Sequence, residues 1–200
     1  MTVAANGKIS GKIALLGTNW TFSATSFSHV EKADGSLMSE VGSPDPDALA
    51  YVVETVAKAG KVTMPVMLRV QCTENALDLS NGVAVGEIGN CGATLWRNMW
   101  KDKATATTAA AELAKWEGLY TLSLEDGGYL SLTIGKDGNV KASGKLSDST
   151  KFSASSPLVY DDEYGWIACF YTAPSAYKGG SFAIAVGFGD GEGAVATQVA

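Results

Sequence analysis

Charge is scarce in this sequence, and the kind that grips phosphate is scarcer still. Charged side chains make up 18% of the chain, below the usual quarter of a globular protein. The basic residues are nearly all lysines, scattered singly, and only Arg69 and Arg97 offer a planar fork to an anion. With a net charge of −6 and no basic stripe, the composition argues against nucleic acid and against anionic membrane surfaces as partners. Histidine occurs once, as His29. The three cysteines, Cys72, Cys91 and Cys169, show no CxxC spacing, so a Cys/His zinc site is not expected. The first reading of the thiols is as small buried side chains. A Cys72–Cys91 disulfide closing a short loop is the alternative, and either way at least one thiol stays unpaired. No apolar run reaches the length of a membrane span, so membrane insertion is not expected.

Part of the chain is written twice. Met1 to Ala24 reads MTVAANGKISGKIALLGTNWTFSA, and Leu132 to Ala154 reads LTIGKDGNVKASGKLSDSTKFSA. Met1-Thr2-Val3 answers Leu132-Thr133-Ile134, and Asn6-Gly7 answers Asp137-Gly138. Ser10-Gly11-Lys12-Ile13 answers Ser143-Gly144-Lys145-Leu146, and Phe22-Ser23-Ala24 answers Phe152-Ser153-Ala154. Two small length differences fall between the matched blocks. Such self-similarity means one structural unit used twice. Leu132 is preceded by GLYTLSLEDGGYLS, whereas Met1 opens directly inside the matched strand. The expectation is a fragment of a longer chain or a truncated gene. The start MTVAANGK has no basic region followed by an apolar stretch and is not a signal peptide, which then says little about compartment.

The spacing of turn residues predicts many short strands. Asn6-Gly7, Asp34-Gly35, Asn81-Gly82, Asp126-Gly127 and Asp137-Gly138 are hairpin signals, because both residues of such a pair tolerate positive φ. Trp20 to Phe27 alternates apolar and hydroxyl residues, as a half-buried strand does. Val62, Met64, Val66, Leu68 and Val70 alternate likewise. Ala48 to Lys58 reads two ways. Asp47 is a helix cap in one; the β-branched run Val52, Val53, Thr55, Val56 makes it a strand in the other, which we favour. Ser43 to Asp47 holds two prolines and reads as a loop. Leu95, Trp96, Met99 and Trp100 fall at helical spacing. Thr105 to Lys115 is rich in alanine and ends near Gly118, the best helix in the chain. From Gly118 on, the pattern is a β meander, with an aromatic-rich strand at Tyr164 to Tyr171 and a core strand at Ser181 to Phe188.

These elements predict an all-β fold: an antiparallel barrel or sandwich built from two related copies with one linking helix. The expected organisation is one pseudo-symmetric domain over residues 1–200, with copy one at 1–71, a linker with the helix at 72–117 and copy two at 118–200.

No residue set spells out a reaction. His29 is the only base for a Ser-His-acid system, and no GxSxG elbow exists. Asp161-Asp162-Glu163 is the densest acidic cluster; paired carboxylates run glycoside hydrolysis, but adjacent acids in a loop are more often a solvated turn. Asp45-Pro46-Asp47 and Asp190-Gly191-Glu192-Gly193 hold oxygen ligands but match no calcium loop. Gly86 to Gly92 matches no phosphate-binding loop. No cofactor and no metal are expected. Of the five tryptophans, core packing is the plain reading. A ligand platform, if there is one, pairs aromatic faces with acceptors. Tyr164 and Trp166 beside Asp161 and Asp162 rank first, and Trp96 and Trp100 on the linking helical segment second. The opposing reading turns Trp166 inward with Ala168 and Phe170.

GLYTLSL, GGYLSLTIGKDGNVKASGKLSD and KFSASSPLVYDDEYGWIACFYTAPSAYKGGSF together resemble a repeated β-module. Such modules occur near the C-termini of very large secreted proteins of gut bacteria of the Verrucomicrobia and Lentisphaerae type. GKISGKI with WTFSA is similar to the same module without its first strand. The resemblance implies a β fold and an extracellular or cell-surface location, and it assigns no catalytic residues. The expected function is a non-catalytic module of a bacterial secreted or surface protein, serving adhesion, ligand binding or spacing, with carbohydrate or another surface protein as partner. The alternative is a carbohydrate-active hydrolase using residues 161–163.

Overall fold

The computed structural model describes residues 1–32, 37–38, 48–71, 82–125, 127–178, 180–189 and 193–198. The expected turns at Asp34-Gly35 and Ser43–Asp47, Cys72 with its disulfide, and the acidic segment 190–192 lie outside the described residues, as do Asn81 and Asp126. The protein is all-β, with one α-helix among the described residues, and it divides into two compact units, Met1–Arg97 and Asn98–Ala200.

The first unit is one antiparallel sheet. Its path is β1 (Thr2–Val3), β2 (Ile9–Leu15), β3 (Thr18–Ala24), β6 (Ala48–Ala59), β7 (Val62–Gln71), β8 (Ala84–Ile88) and β9 (Cys91–Leu95). Between the third and fourth strands of that path the chain inserts β4 (His29–Lys32), which pairs with β6 and with the short β5 (Leu37–Met38). The β-branched run decided the ambiguous segment: Ala48–Ala59 is a strand, with Val52 and Val53 both buried. Pro65 sits inside β7, where a missing N–H would normally break a ladder. Its carbonyl accepts from Gly89 N at 2.8 Å, so its imide nitrogen faces the β8–β9 turn and not the ladder with β6. Ile9, Phe22, Val53, Ala57, Val66 and Leu68 form the core, flanked by half-buried Ile13 and Trp20.

The second unit is a seven-stranded meander in chain order. It runs through β10 (Gly118–Ser123), β11 (Tyr129–Ile134), β12 (Asn139–Lys145), β13 (Lys151–Asp161), β14 (Gly165–Thr172), β15 (Phe182–Gly189) and β16 (Gly193–Gln198). Leu130, Leu132, Ile134, Val140, Leu158, Phe170, Ile184, Val186 and Phe188 line its core. The helix α1 (Lys103–Leu113) belongs to this unit. Asp102 caps it, its Oδ1 accepting from Ala104 N at 2.8 Å and Thr105 N at 3.3 Å. Its buried residues are Thr105, Ala109 and Leu113, one narrow stripe at a spacing of four.

The blocks matched in sequence adopt matching local geometry. In the β1–β2 turn Gly7 N donates to Ala4 O at 2.9 Å and Ala4 N to Lys8 O at 2.9 Å; in the β11–β12 turn Gly138 N donates to Gly135 O at 2.9 Å and Gly135 N to Asn139 O at 3.0 Å. Gly7 and Gly138 carry the positive φ that both turns need, 80° and 68°. The next hairpins pair the same residue types: Ser10 with Ser23 and Gly11 with Phe22, Ser143 with Ser153 and Gly144 with Phe152. Gly11 is four positions after Gly7 and Gly144 six after Gly138. The difference is even, so every side chain keeps its face.

One sequence expectation is corrected. Leu95 to Lys103 is not a single helical segment. Leu95 ends β9, residues 96–98 are irregular, and Met99–Lys101 is a 3-10 turn capped by Asn98, whose Oδ1 accepts from Trp100 N at 3.2 Å. Asn98 and Asp102 each bond local N–H groups, and such caps break what apolar spacing alone reads as one helix.

Candidate functional site

The acidic turn between β13 and β14 holds the highest-ranked residues. Asp161 ends β13, opposite Gly165 at the start of β14. Its Oδ1 accepts from Glu163 N at 2.9 Å and Tyr164 N at 3.0 Å. The carboxylate therefore closes the turn, as aspartates in turns do. Asp162 and Glu163 are exposed, and Tyr164 is 64% exposed. The hydrogen bond and charge of Glu163 hold the Tyr164 phenol above its ordinary range, with a smaller contribution from Asp161. The phenol is thus a neutral donor at physiological pH.

Trp166 goes the other way. It is 5% exposed and shares the core with Ala168 and Phe170. Tyr160 meets it edge-on, with ring centroids 5.5 Å apart, and Trp100 lies 6.4 Å away on another side. A ring boxed in this way presents no face to a ligand, so Trp166 leaves the expected platform. Tyr164 and Trp166 are two residues apart, but one is outside and the other inside.

Trp100 is half-buried and tied down. Its Nε1 donates to Leu158 O at 2.7 Å. Its ring lies over Gly138, filling the space a Cβ there would need. Leu158 N in turn donates to Gly138 O at 2.7 Å. Trp100 thus clamps the β11–β12 turn onto β13, a role sequence reasoning missed; the glycine with no side chain opposite an aromatic was the only signal. Trp96 is half-buried and lies in the first unit, Trp100 in the second.

His29, the residue weighed as a catalytic base, lies beside an ion pair. His29 Nε2 lies 3.9 Å from Glu31, and Glu31 is bound by Arg69, whose Nε donates at 2.7 Å. The register sets His29 beside Val52 and Val52 beside Arg69, so the ion pair spans β6 on the face where Ala50 and Val52 are buried. The Ser28 hydroxyl next to His29 accepts from Glu54 N at 2.9 Å. Cys91 and Cys169 are free and exposed, which corrects the reading of these two as buried. The atoms crowding Cys169, and then Asp161, push its thiol up, away from the thiolate a nucleophile requires. Among the described residues no group of three His, Cys, Asp or Glu side chains is placed to hold a metal ion, and no helix is long and apolar enough to cross a membrane.

Among the described residues the troughs are shallow and mix polar with apolar lining. One trough lies over β12 and β13, lined by Lys141, Ser143, Ser153 and Ser155. Another lies over β3, β6 and β7, lined by Thr21, Ser23, Thr55, Lys58 and Thr63. Both are open to solvent on the outer face of a sheet. No family model, no curated protein and no solved structure matches this chain.

Proposed function

We propose that this chain is a non-catalytic module of a bacterial secreted or surface protein, built by using one β-unit twice and serving adhesion, ligand binding or spacing. One observation carries the reading: the groups best suited to chemistry or stacking are consumed by the fold. Asp161 closes a turn, Trp166 is core, and Trp100 is spent on Leu158 and Gly138. The troughs on the outer sheet faces carry serine, threonine and lysine, with exposed Val56 among them. Such a surface suits weak polar contacts, with carbohydrate or with another surface protein, and the sequence resemblance supports the extracellular setting.

The second reading is a carbohydrate-active hydrolase using Asp161, Asp162 or Glu163. It is favoured by the exposure of Asp162, Glu163 and Tyr164 on one turn, where two exposed carboxylates sit beside an aromatic ring. A glycan array followed by a hydrolysis screen on the same full chain separates the two. The module reading expects binding or nothing, without turnover. Turnover lost in a folded Asp162→Asn variant overturns it.

A further inference from the structure

The lysines stand singly in sequence, but strand register in the second unit gathers three of them on one sheet face. Leu158 N donates to Gly138 O and Leu146 N to Thr150 O, which fixes the phase of the β12–β13 ladder. Lys141–Ser155, Ser143–Ser153 and Lys145–Lys151 are then its non-hydrogen-bonded pairs, whose side chains stand closest. They point outward, because Ala142, Leu146 and Phe152 in alternate positions are buried. Lys145 thus faces Lys151 directly. Like charges so placed are destabilising, and neither lysine has an ion-pair partner among the described residues. The row through this pair continues to Tyr129 and Ser123; the next is hydroxyl throughout, Thr121, Ser131, Ser143 and Ser153; a third sets Lys141 between Thr133 and Ser155. The chain has 21 acidic residues against 15 basic ones, yet none stands in these rows. Asp137 and Asp148 lie in the flanking turns, where they accept from Asn139 N at 3.1 Å and Thr150 N at 2.8 Å, and Glu125 lies past Ser123.

The matched blocks say which side of the strand is held constant. From the first block to the second, Ile9 becomes Ala142 and Ile13 becomes Leu146 on the inward side. On the outward side Lys8, Ser10 and Lys12 recur unchanged as Lys141, Ser143 and Lys145, and Ser23 recurs as Ser153. Exposed positions ordinarily tolerate substitution. Identity where the fold demands least points to a demand from outside the fold. In the first unit Lys12 stands opposite Thr21, and Thr21 opposite Lys58. That face also carries exposed Glu54 and Val56 on β6, so the face without a carboxylate in its rows belongs to the second unit.

We propose that the outer face of β10 to β13 binds an acidic polysaccharide, a sugar chain bearing carboxylates or sulfate esters. Lys141, Lys145 and Lys151 meet its anionic groups, which offset the repulsion within the lysine pair. The serines and threonines between them exchange hydrogen bonds with sugar hydroxyls, and Tyr129, 46% exposed, offers a ring face. Charge density selects this class of ligand. Duplex nucleic acid and anionic membranes present dense phosphate, which calls for a basic cluster. An acidic polysaccharide spreads few charges among many hydroxyls, and this face does the same with opposite sign. The inference rests on the proposed binding-module reading and supplies its ligand class.

NMR titration of the full chain with polygalacturonate, dextran sulfate and neutral dextran tests it. The expected result is saturable shifts at the amides of Lys141, Ser143, Lys145, Lys151 and Ser153 with at least one of the two polyanions and none with dextran; the tighter polyanion tells carboxylate from sulfate. The double variant Lys145→Gln, Lys151→Gln should weaken that binding by about tenfold or more. Its urea midpoint should stay unchanged or rise, because a repulsion is removed. Ser143→Ala with Ser153→Ala should weaken the polysaccharide and leave any binding of poly-glutamate as it was. The proposal is overturned if neither polyanion shifts these amides, if dextran shifts them equally, or if the shifts centre on Lys12 and Lys58. It is equally overturned if poly-glutamate or duplex DNA binds as tightly as the better polysaccharide, or if the lysine double variant lowers the urea midpoint, which would make the pair part of the fold. Cleavage of the bound polymer would overturn the non-catalytic reading and leave this site standing, whereas loss of binding overturns the site alone.

Discussion

Two glycines at matching turns do different amounts of work. Gly7 and Gly138 both sit at positive φ, but a Cβ on Gly7 would meet only Thr25 O at 4.0 Å, whereas one on Gly138 would strike the Trp100 ring. Gly7→Ala should therefore cost only the left-handed backbone penalty, about 1–2 kcal/mol. Gly138→Ala should cost that plus about 1–3 kcal/mol for forcing a packed ring aside. Equilibrium urea unfolding measures both. A red-shifted tryptophan emission should accompany the second substitution alone, and equal costs would mean that Trp100 does not clamp the turn. At the β13–β14 turn, Glu163 is the main cause of the raised Tyr164 phenol. Glu163→Gln should bring the phenol back down toward its ordinary value, because it removes the charge that opposes phenolate. Ultraviolet titration would follow it, and an unmoved midpoint would locate the cause elsewhere. The inward turn of Trp166 was readable from its alternation with Ala168 and Phe170, all three of which are buried; it was the reading set against the platform.

The elements were most legible where turn chemistry is strict. Asn6-Gly7 and Asp137-Gly138 located their hairpins because few residues accept positive φ, and the β-branched run located β6. Legibility failed where local capping competes with apolar spacing. Asn98 and Asp102, four residues apart, each accept from backbone N–H groups just after them. They cut Leu95–Lys103 into a strand end, a 3-10 turn and the first turn of α1. The helix was found, with its bounds shifted from Thr105–Lys115 to Lys103–Leu113. It depends on its cap. The segment is short for a helix to be stable by itself, and its buried stripe contains only one large side chain, Leu113. Asp102→Ala should therefore lower stability by about 1 kcal/mol, and Asp102→Asn by much less, since asparagine caps nearly as well. Thermal or urea unfolding of the two variants checks this. Equal effects would show that charge at the helix start, rather than the accepted hydrogen bonds, is what counts.

For the whole molecule, composition and turn spacing sufficed for the all-β class, while pairing partners had to come from the structure. Nothing in the sequence marks β4 and β5 as an insertion between strands that pair, because an excursion and a next strand look alike one segment at a time. The same limit applies to the candidate site: Asp161 and Tyr164 were placed together correctly by adjacency, but no local pattern reveals that Leu158 O awaits Trp100 Nε1 from 58 residues away. The second unit, Asn98–Ala200, contains the means of its own stability. Its seven strands follow one another in the meander, its helix is capped from within by Asp102, and its aromatic contacts Trp100–Trp166, Tyr160–Trp166, Trp116–Phe188 and Tyr120–Phe188 are internal. Every pairing joins strands adjacent in sequence, which keeps loop-closure costs low. A chain of that length is also large enough to bury a core of its own. Asn98–Ala200 expressed alone should then fold, with a cooperative urea transition and the near-ultraviolet dichroism of packed tryptophans. Trp100→Ala in the same fragment should weaken it by about 3–5 kcal/mol. A fragment with β-type far-ultraviolet dichroism but no near-ultraviolet signal would show that strand pairing forms there without fixed aromatic packing, and that the second unit requires the first to complete its core.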